Sequence, residues 1–150
     1  MVNGWRGLAR SMVRRDDGAA AVEFAIVFVL LMMLVFGVIR FGQFFGQYEA
    51  MVGAAREGGR VAAVQGNTTA IQNQVINSAK PYTVKCAAGT GATCITISPA
   101  PGGATNTPCN NTNSGANVTV SWNQIFALSW APFFPATDKT VTIKAVFRCE

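Results

Sequence analysis

Residues 19–39 form an unbroken run of 21 amino acids carrying one charge, Glu23, and this run constrains everything else the chain can be. A helix of that length rises about 30 Å, the thickness of a bilayer's hydrocarbon core. Half of the 150 residues are hydrophobic and only 13% are charged, an apolar balance for a chain folding wholly in water. Arg40 closes the run with a cation able to snorkel to the interface. A cleaved secretory signal is the competing reading. Against it, the run is too long, and no small-x-small site followed by a polar break comes after it. Residues 37–46 are bulky and aromatic instead, so the segment is expected to stay with the protein.

The formal charge is +5, and its placement says more than its size. Residues 1–18 hold Arg6, Arg10, Arg14 and Arg15 against Asp16 and Asp17, a net of +2. This reads as a basic leader retained in the cytoplasm by the positive-inside rule. Beyond Arg60 the cations are Lys80, Lys85, Lys139, Lys144 and Arg148, too thinly spread for a nucleic-acid face. Histidine is absent, which removes the commonest general base and metal ligand. Asp138, Lys139, Ser121 and Ser129 are available in the outer region but form no recognisable nucleophile motif. No enzyme activity, cofactor or metal site is expected. The four cysteines, Cys86, Cys94, Cys109 and Cys149, lack C-x-x-C spacing and all follow the apolar run. They read as two disulfides in an oxidising compartment. Four cysteines allow three pairings; Cys86–Cys94, flanking a tight hairpin, with Cys109–Cys149 is preferred.

The chain in order predicts an α+β fold. After the transmembrane helix, assigned to 19–40, the helical pattern continues over 41–66. Phe41, Phe44, Phe45, Tyr48, Met51, Val52 and Ala55 recur at spacings of three and four, with polar residues between them. Gly53, Ala54, Ala55, Gly58 and Gly59 would let another helix or a sheet approach closely. The Gly58-Gly59 pair is also expected to bend or end the helix, at roughly 2 kcal/mol of lost propensity relative to alanine. The remainder, 67–150, is assigned to one extracytoplasmic domain. Thr68 or Thr69 can cap a short second helix with Ile71, Val75 and Ile76 as its apolar stripe and a stop near Pro81. Strands are predicted at 82–86, 94–98, 117–122 and 140–147, rich in Val, Ile and Thr. A turn at Gly89-Thr90-Gly91 joins the first two. Residues 99–116 form a loop, and 125–135, with Trp130, Pro132, Phe133, Phe134 and Pro135, a crossover covering a small antiparallel sheet.

A carboxylate inside an apolar helix costs roughly 2.5–3.5 kcal/mol on translocon scales, and such residues are functional by default. Two plainer readings of Glu23 stand beside that: reach to the headgroups, or a favourable place at the positive end of the helix dipole.

Gly18, four residues, then Glu23 and Phe24 match the processing motif of type IV prepilins. The wider stretch, Gly18-Ala-Ala-Ala-Val-Glu-Phe24 with an apolar run ending in Phe36-Gly-Val-Ile-Arg-Phe-Gly42, resembles the TadE-like proteins of tight-adherence (Tad/Flp) pilus systems. Residues 54–63 resemble the small-residue segment that these proteins carry after the membrane helix. Asp16 and Asp17 depart from the pattern, since many prepilin leaders carry Lys or Arg there, and the cysteines are not general to the family.

The resemblance implies a pilin-like α+β fold and a minor pilin or pseudopilin that takes part in assembling an adhesive pilus. It also implies cleavage between Gly18 and Ala19 by a prepilin peptidase, with assembly contacts through Glu23 and Phe24. Its partners would be that peptidase, other pilin subunits, the assembly platform and the lipid bilayer, not nucleic acid. The chain would be a single-pass protein of a bacterial inner membrane, its N-terminus cytoplasmic and its C-terminal domain periplasmic, with incorporation into an extracellular pilus. An uncleaved single-pass protein, its periplasmic domain a binding component of an envelope or secretion complex, is the alternative.

Overall fold

A computed structural model describes residues 15–64, 66–100, 107–110, 114–128 and 137–150. It divides into two compact units, Met1–Gly37 and Val38–Glu150. Helix α1, Arg15–Ala63, contributes to both.

In the first unit every described side chain from 18 to 36 is exposed. No proline interrupts the segment, and alanine, leucine and methionine favour the helix. Helix α1 is described from Arg15 onward, so Gly18 lies within it. Residues 1–14, with Arg6, Arg10 and Arg14, lie outside the described residues.

In the second unit α1 and helix α2, Thr68–Ala79, cover one face of an antiparallel sheet. That sheet has three strands, β3 (Thr96–Ser98), β4 (Asn117–Leu128) and β5 (Thr137–Arg148), in the order β3-β4-β5. Alternation along β4 turns Val118, Val120, Trp122, Gln124 and Phe126 inward, all buried. They meet Met51, Ala54 and Ala55 from α1, Ile71, Val75 and Ala79 from α2, and Ile143 and Ala145 from β5 in one core. Phe44 of α1 packs edge-on against Phe126 with centroids 5.1 Å apart.

Several expectations change here. The glycine pair does not end α1, which runs on to Ala63. Both glycines are buried because neighbours press on the helix backbone. A Cβ at Gly58 would lie 2.2 Å from Val75 Cγ2, and one at Gly59 2.4 Å from Phe147 Cδ2. Close approach by a helix and by a strand, read from the small residues, is therefore found at adjacent positions. The cap of α2 is Asn67, not Thr68 or Thr69: its Oδ1 accepts from the Ala70 amide at 2.8 Å. Asn is at least as good a cap as Thr, and the helix gains one residue by using it. Ile71, Val75 and Ala79 form the buried stripe, with Ile76 half-buried.

The predicted hairpin 82–86/94–98 is replaced by a smaller one. Strand β1 (Lys85–Cys86) pairs with β2 (Gly89–Thr90). A 3-10 turn, Gly91–Cys94, follows before β3. β3 pairs with β4 instead, placing Ile97 opposite Val120. An isolated two-stranded hairpin is marginal in water, whereas joining the larger sheet buries Ile97 against the helices. Residues 125–128 are strand, continuous with β4, and β5 begins at Thr137. Leu128 pairs with Thr137, so β4 and β5 are consecutive neighbours and the connection is no crossover. Trp130, Pro132, Phe133, Phe134 and Pro135 lie outside the described residues.

Candidate assembly site

Gly18, Ala19, Glu23 and Phe24 lie on the exposed part of α1. Ala19 and Glu23 are four residues apart, hence one turn apart on the same helix face. Around them nothing is buried: Phe24 is 68% exposed and Ile26 69%. Phe24 stacks on Phe28, one turn on, with centroids 5.6 Å apart. Ala21, Val22, Ala25, Ile26 and Val29 line a shallow apolar groove on the same segment. Among the described residues Glu23 has no hydrogen-bond or ion-pair partner. A contiguous apolar surface of this extent is not a monomer's water-facing surface. The segment is long and apolar enough to cross a membrane, which suggests a single-pass protein.

Among the described residues, Gly18 has nothing within 4 Å of the place a Cβ would occupy. Packing within the chain explains Gly58 and Gly59 but gives no reason for glycine at position 18.

The cysteines form two disulfides, both in the second unit. Cys86 is bonded to Cys94, with Cα atoms 5.6 Å apart, and Cys109 to Cys149 at 5.5 Å. The second locks the C-terminal end of β5, where the Glu150 amide also donates to the Ala63 carbonyl at 3.1 Å. The tail of the chain is thus fastened to the end of α1. Ser121 and Asp138 lie on β4 and β5, where Ser121 pairs with Lys144 and Asp138 with Ala127. They are six residues apart along the ladder, so they form no joint site with each other. Ser129 lies outside the described residues.

One polar cluster escaped the sequence reading. Gln124, 3% exposed, accepts from the Lys85 amide at 3.1 Å and from Trp122 Nε1 at 3.0 Å through Oε1. Its Nε2 donates to the carbonyls of Thr83 and Ile125 at 3.2 and 3.3 Å. The carboxamide thereby holds segment 83–85 beside β4 without main-chain pairing. The signal was present: Gln124 occupies an inward slot whose neighbours in the alternation are Val118, Val120, Trp122 and Phe126.

Residues 18–60 match the family model of TadE-like proteins. No curated protein and no solved structure matches the chain. The match begins at Gly18 and ends at Arg60 within α1, so it covers the candidate site and leaves the sheet outside it.

Proposed function

We propose that the chain is a minor pilin or pseudopilin of the TadE-like kind, acting in assembly of a Tad/Flp-type adhesive pilus. One observation carries the reading. The TadE-like match opens at Gly18 and contains, five residues on, the single carboxylate of the exposed apolar segment 18–36 of α1. In this reading a prepilin peptidase cuts between Gly18 and Ala19. The basic leader, 1–18, stays in the cytoplasm and 67–150 is periplasmic.

The cut creates an α-amine at Ala19. Two charges deep in an apolar helix bundle are each costly, but opposite charges held together by hydrogen bonds offset much of that cost. Glu23 of one subunit therefore neutralises the Ala19 amine of a neighbour, which favours a fixed register between subunits. Among the described residues Glu23 has no partner, which supports a partner on another chain.

N-terminal sequencing of the protein from membranes tests the processing step. Ala19 as the first residue is expected; an intact Met1 refutes it and favours an uncleaved envelope component. Gly18→Leu blocks the cut and leaves the larger band on an immunoblot. Glu23→Gln keeps membrane insertion but lowers piliation seen by electron microscopy; normal pili in that variant would remove the proposed role of Glu23.

A further inference from the structure

The two sides of the larger sheet are closed unequally. On one side β3 lies beside β4 at Thr119, Val120 and Ser121, and beyond it Gln124 holds the chain's own Thr83 and Lys85 against β4. On the other side the sheet ends with β5, and among the described residues no strand lies beyond it. Edge strands are commonly blunted by prolines, bulges or covering segments. β5 contains no proline and pairs with β4 from Thr137 to Arg148 without a break.

The ladder decides which groups this edge offers. The Cys149 amide donates to the Ala116 carbonyl at 2.7 Å, and pairing continues from there in one register. In an antiparallel pair, residues alternate between exchanging both main-chain bonds with the partner and pointing both groups away. Odd-numbered residues of β5 therefore bond to β4. Asp138, Thr140, Thr142 and Lys144 point N–H and C=O outward, and among the described residues none of these groups has a partner. Their side chains are exposed, on the face opposite buried Ile143 and Ala145. Neither Asp138 nor Lys144 has an ion-pair partner among the described residues.

The order of these side chains is complementary to its own reverse. With two copies of β5 antiparallel and Val141 opposite Val141, Asp138 faces Lys144 and Thr140 faces Thr142, at both ends of the two-fold. Each facing pair exchanges two main-chain bonds, and opposite charges or paired threonines at such positions favour the contact. A slide that sets Thr142 opposite Thr142 keeps the bonding parity but leaves Asp138 against Val146 and Lys144 against Thr140. A further slide brings Arg148 to Asp138, but Arg148 Nε already donates to the Gly115 carbonyl at 3.1 Å.

We propose that β5 pairs with β5 of a second copy of this chain in the Val141-centred register, making one continuous sheet. The pairing has a direction. Phe44 of α1 packs on Phe126, which is paired with Lys139, and Gly59 lies against Phe147, so α1 runs beside β5 in the same sense. The two-fold reverses it, and the Val38 ends of the two copies leave the joined sheet in opposite directions. The partner is therefore a copy carried on a facing surface rather than a neighbour in the same bilayer. The inference does not depend on processing at Gly18.

The test reconstitutes the full chain into phosphatidylcholine vesicles and follows their clustering by light scattering and by colocalisation of two vesicle dyes. One strand pair is weak, with a dissociation constant on the order of 0.1–1 mM, but many pairs between two vesicles act together. Vesicles carrying the protein are expected to cluster with one another and to leave protein-free vesicles out. Asp138→Lys and Lys144→Asp each set like charges opposite one another at both ends, and each lowers clustering by about tenfold. Mixing vesicles of the two variants restores it, because positions 138 and 144 then meet opposite signs in the partner. Thr140→Pro removes one outward N–H while leaving the bonds to β4, and it also lowers clustering. No clustering by the inserted parent protein, capture of protein-free vesicles, undiminished clustering by the single variants, or failure of the mixture would each overturn the proposal.

Discussion

Substituting alanine for Gly58 tests the packing between α1 and α2, because two effects of similar size oppose each other. Helix propensity alone makes Gly58→Ala stabilising by about 1 kcal/mol. The new Cβ, however, would stand 2.2 Å from Val75 Cγ2, with the Ile71 carbonyl and Val120 Cγ1 each at 3.7 Å. Val75 cannot simply turn aside. It is β-branched and held to one rotamer within a helix, and it is fully buried on α2 between Ile71 and Ala79. The whole of α2 would have to move, and overpacking of this sort costs typically 1–3 kcal/mol. The net expectation is a loss of about 1 kcal/mol, a fall in Tm of roughly 5 °C for a unit of this size. A second variant isolates the cause. Val75→Ala alone costs about 2 kcal/mol through lost burial, but it vacates the space that the alanine needs. In that background Gly58→Ala turns stabilising, and the cycle shows a coupling of about 2 kcal/mol. Melts of the oxidised full chain in detergent, followed by near-ultraviolet circular dichroism, measure all four proteins. A higher Tm for Gly58→Ala alone, or additivity within about 0.5 kcal/mol, would refute the close-approach argument.

Other substitutions probe the remaining supports of the domain. Gln124→Leu strands the Lys85 amide and Trp122 Nε1 without an acceptor, and is expected to cost about 3 kcal/mol in denaturant unfolding; a loss below about 1 kcal/mol would mean that water replaces the carboxamide. The two disulfides separate by loop length, 40 residues for Cys109–Cys149 against 8 for Cys86–Cys94. In the chain-entropy model their removal as paired serine variants costs about 4 and about 2.5 kcal/mol respectively, an order that equilibrium unfolding would reverse if strain or residual structure dominated. Asn67→Ala removes the acceptor of the Ala70 amide and lowers stability by about 1 kcal/mol, whereas Thr68→Ala leaves that cap in place.

The parts of this fold legible in the sequence are those fixed by local chemistry. The apolar run of α1 needs no tertiary information, since 21 residues without a break have few destinations other than a bilayer. The amphipathic continuation and the stripe of α2 are equally local. What escaped was settled by partners distant in sequence. Nothing near Ile97 says whether its strand pairs with 82–86 or with β4, and the sheet decides because pairing with β4 places it opposite Val120 and buries it. The glycine pair carried two conflicting signals, poor propensity and close approach. The second prevails because Val75 and Phe147 bury the backbone exactly where propensity is weakest, with contacts no larger residue would permit.

The same contrast bears on Glu23 and Gln124, the two polar residues in apolar sequence surroundings. Gln124 is buried and makes four hydrogen bonds within its own chain, so its polarity is accounted for by the fold. Glu23 is exposed on a helix segment whose neighbouring side chains are apolar, and among the described residues it has no partner. A carboxylate that the fold leaves unpaired in a segment suited to hydrocarbon stays costly until another charge is brought to it. In the reading proposed above assembly supplies it, the amine formed at Ala19 of one subunit meeting the Glu23 carboxylate of a neighbour, so that loss of either group would weaken the contact.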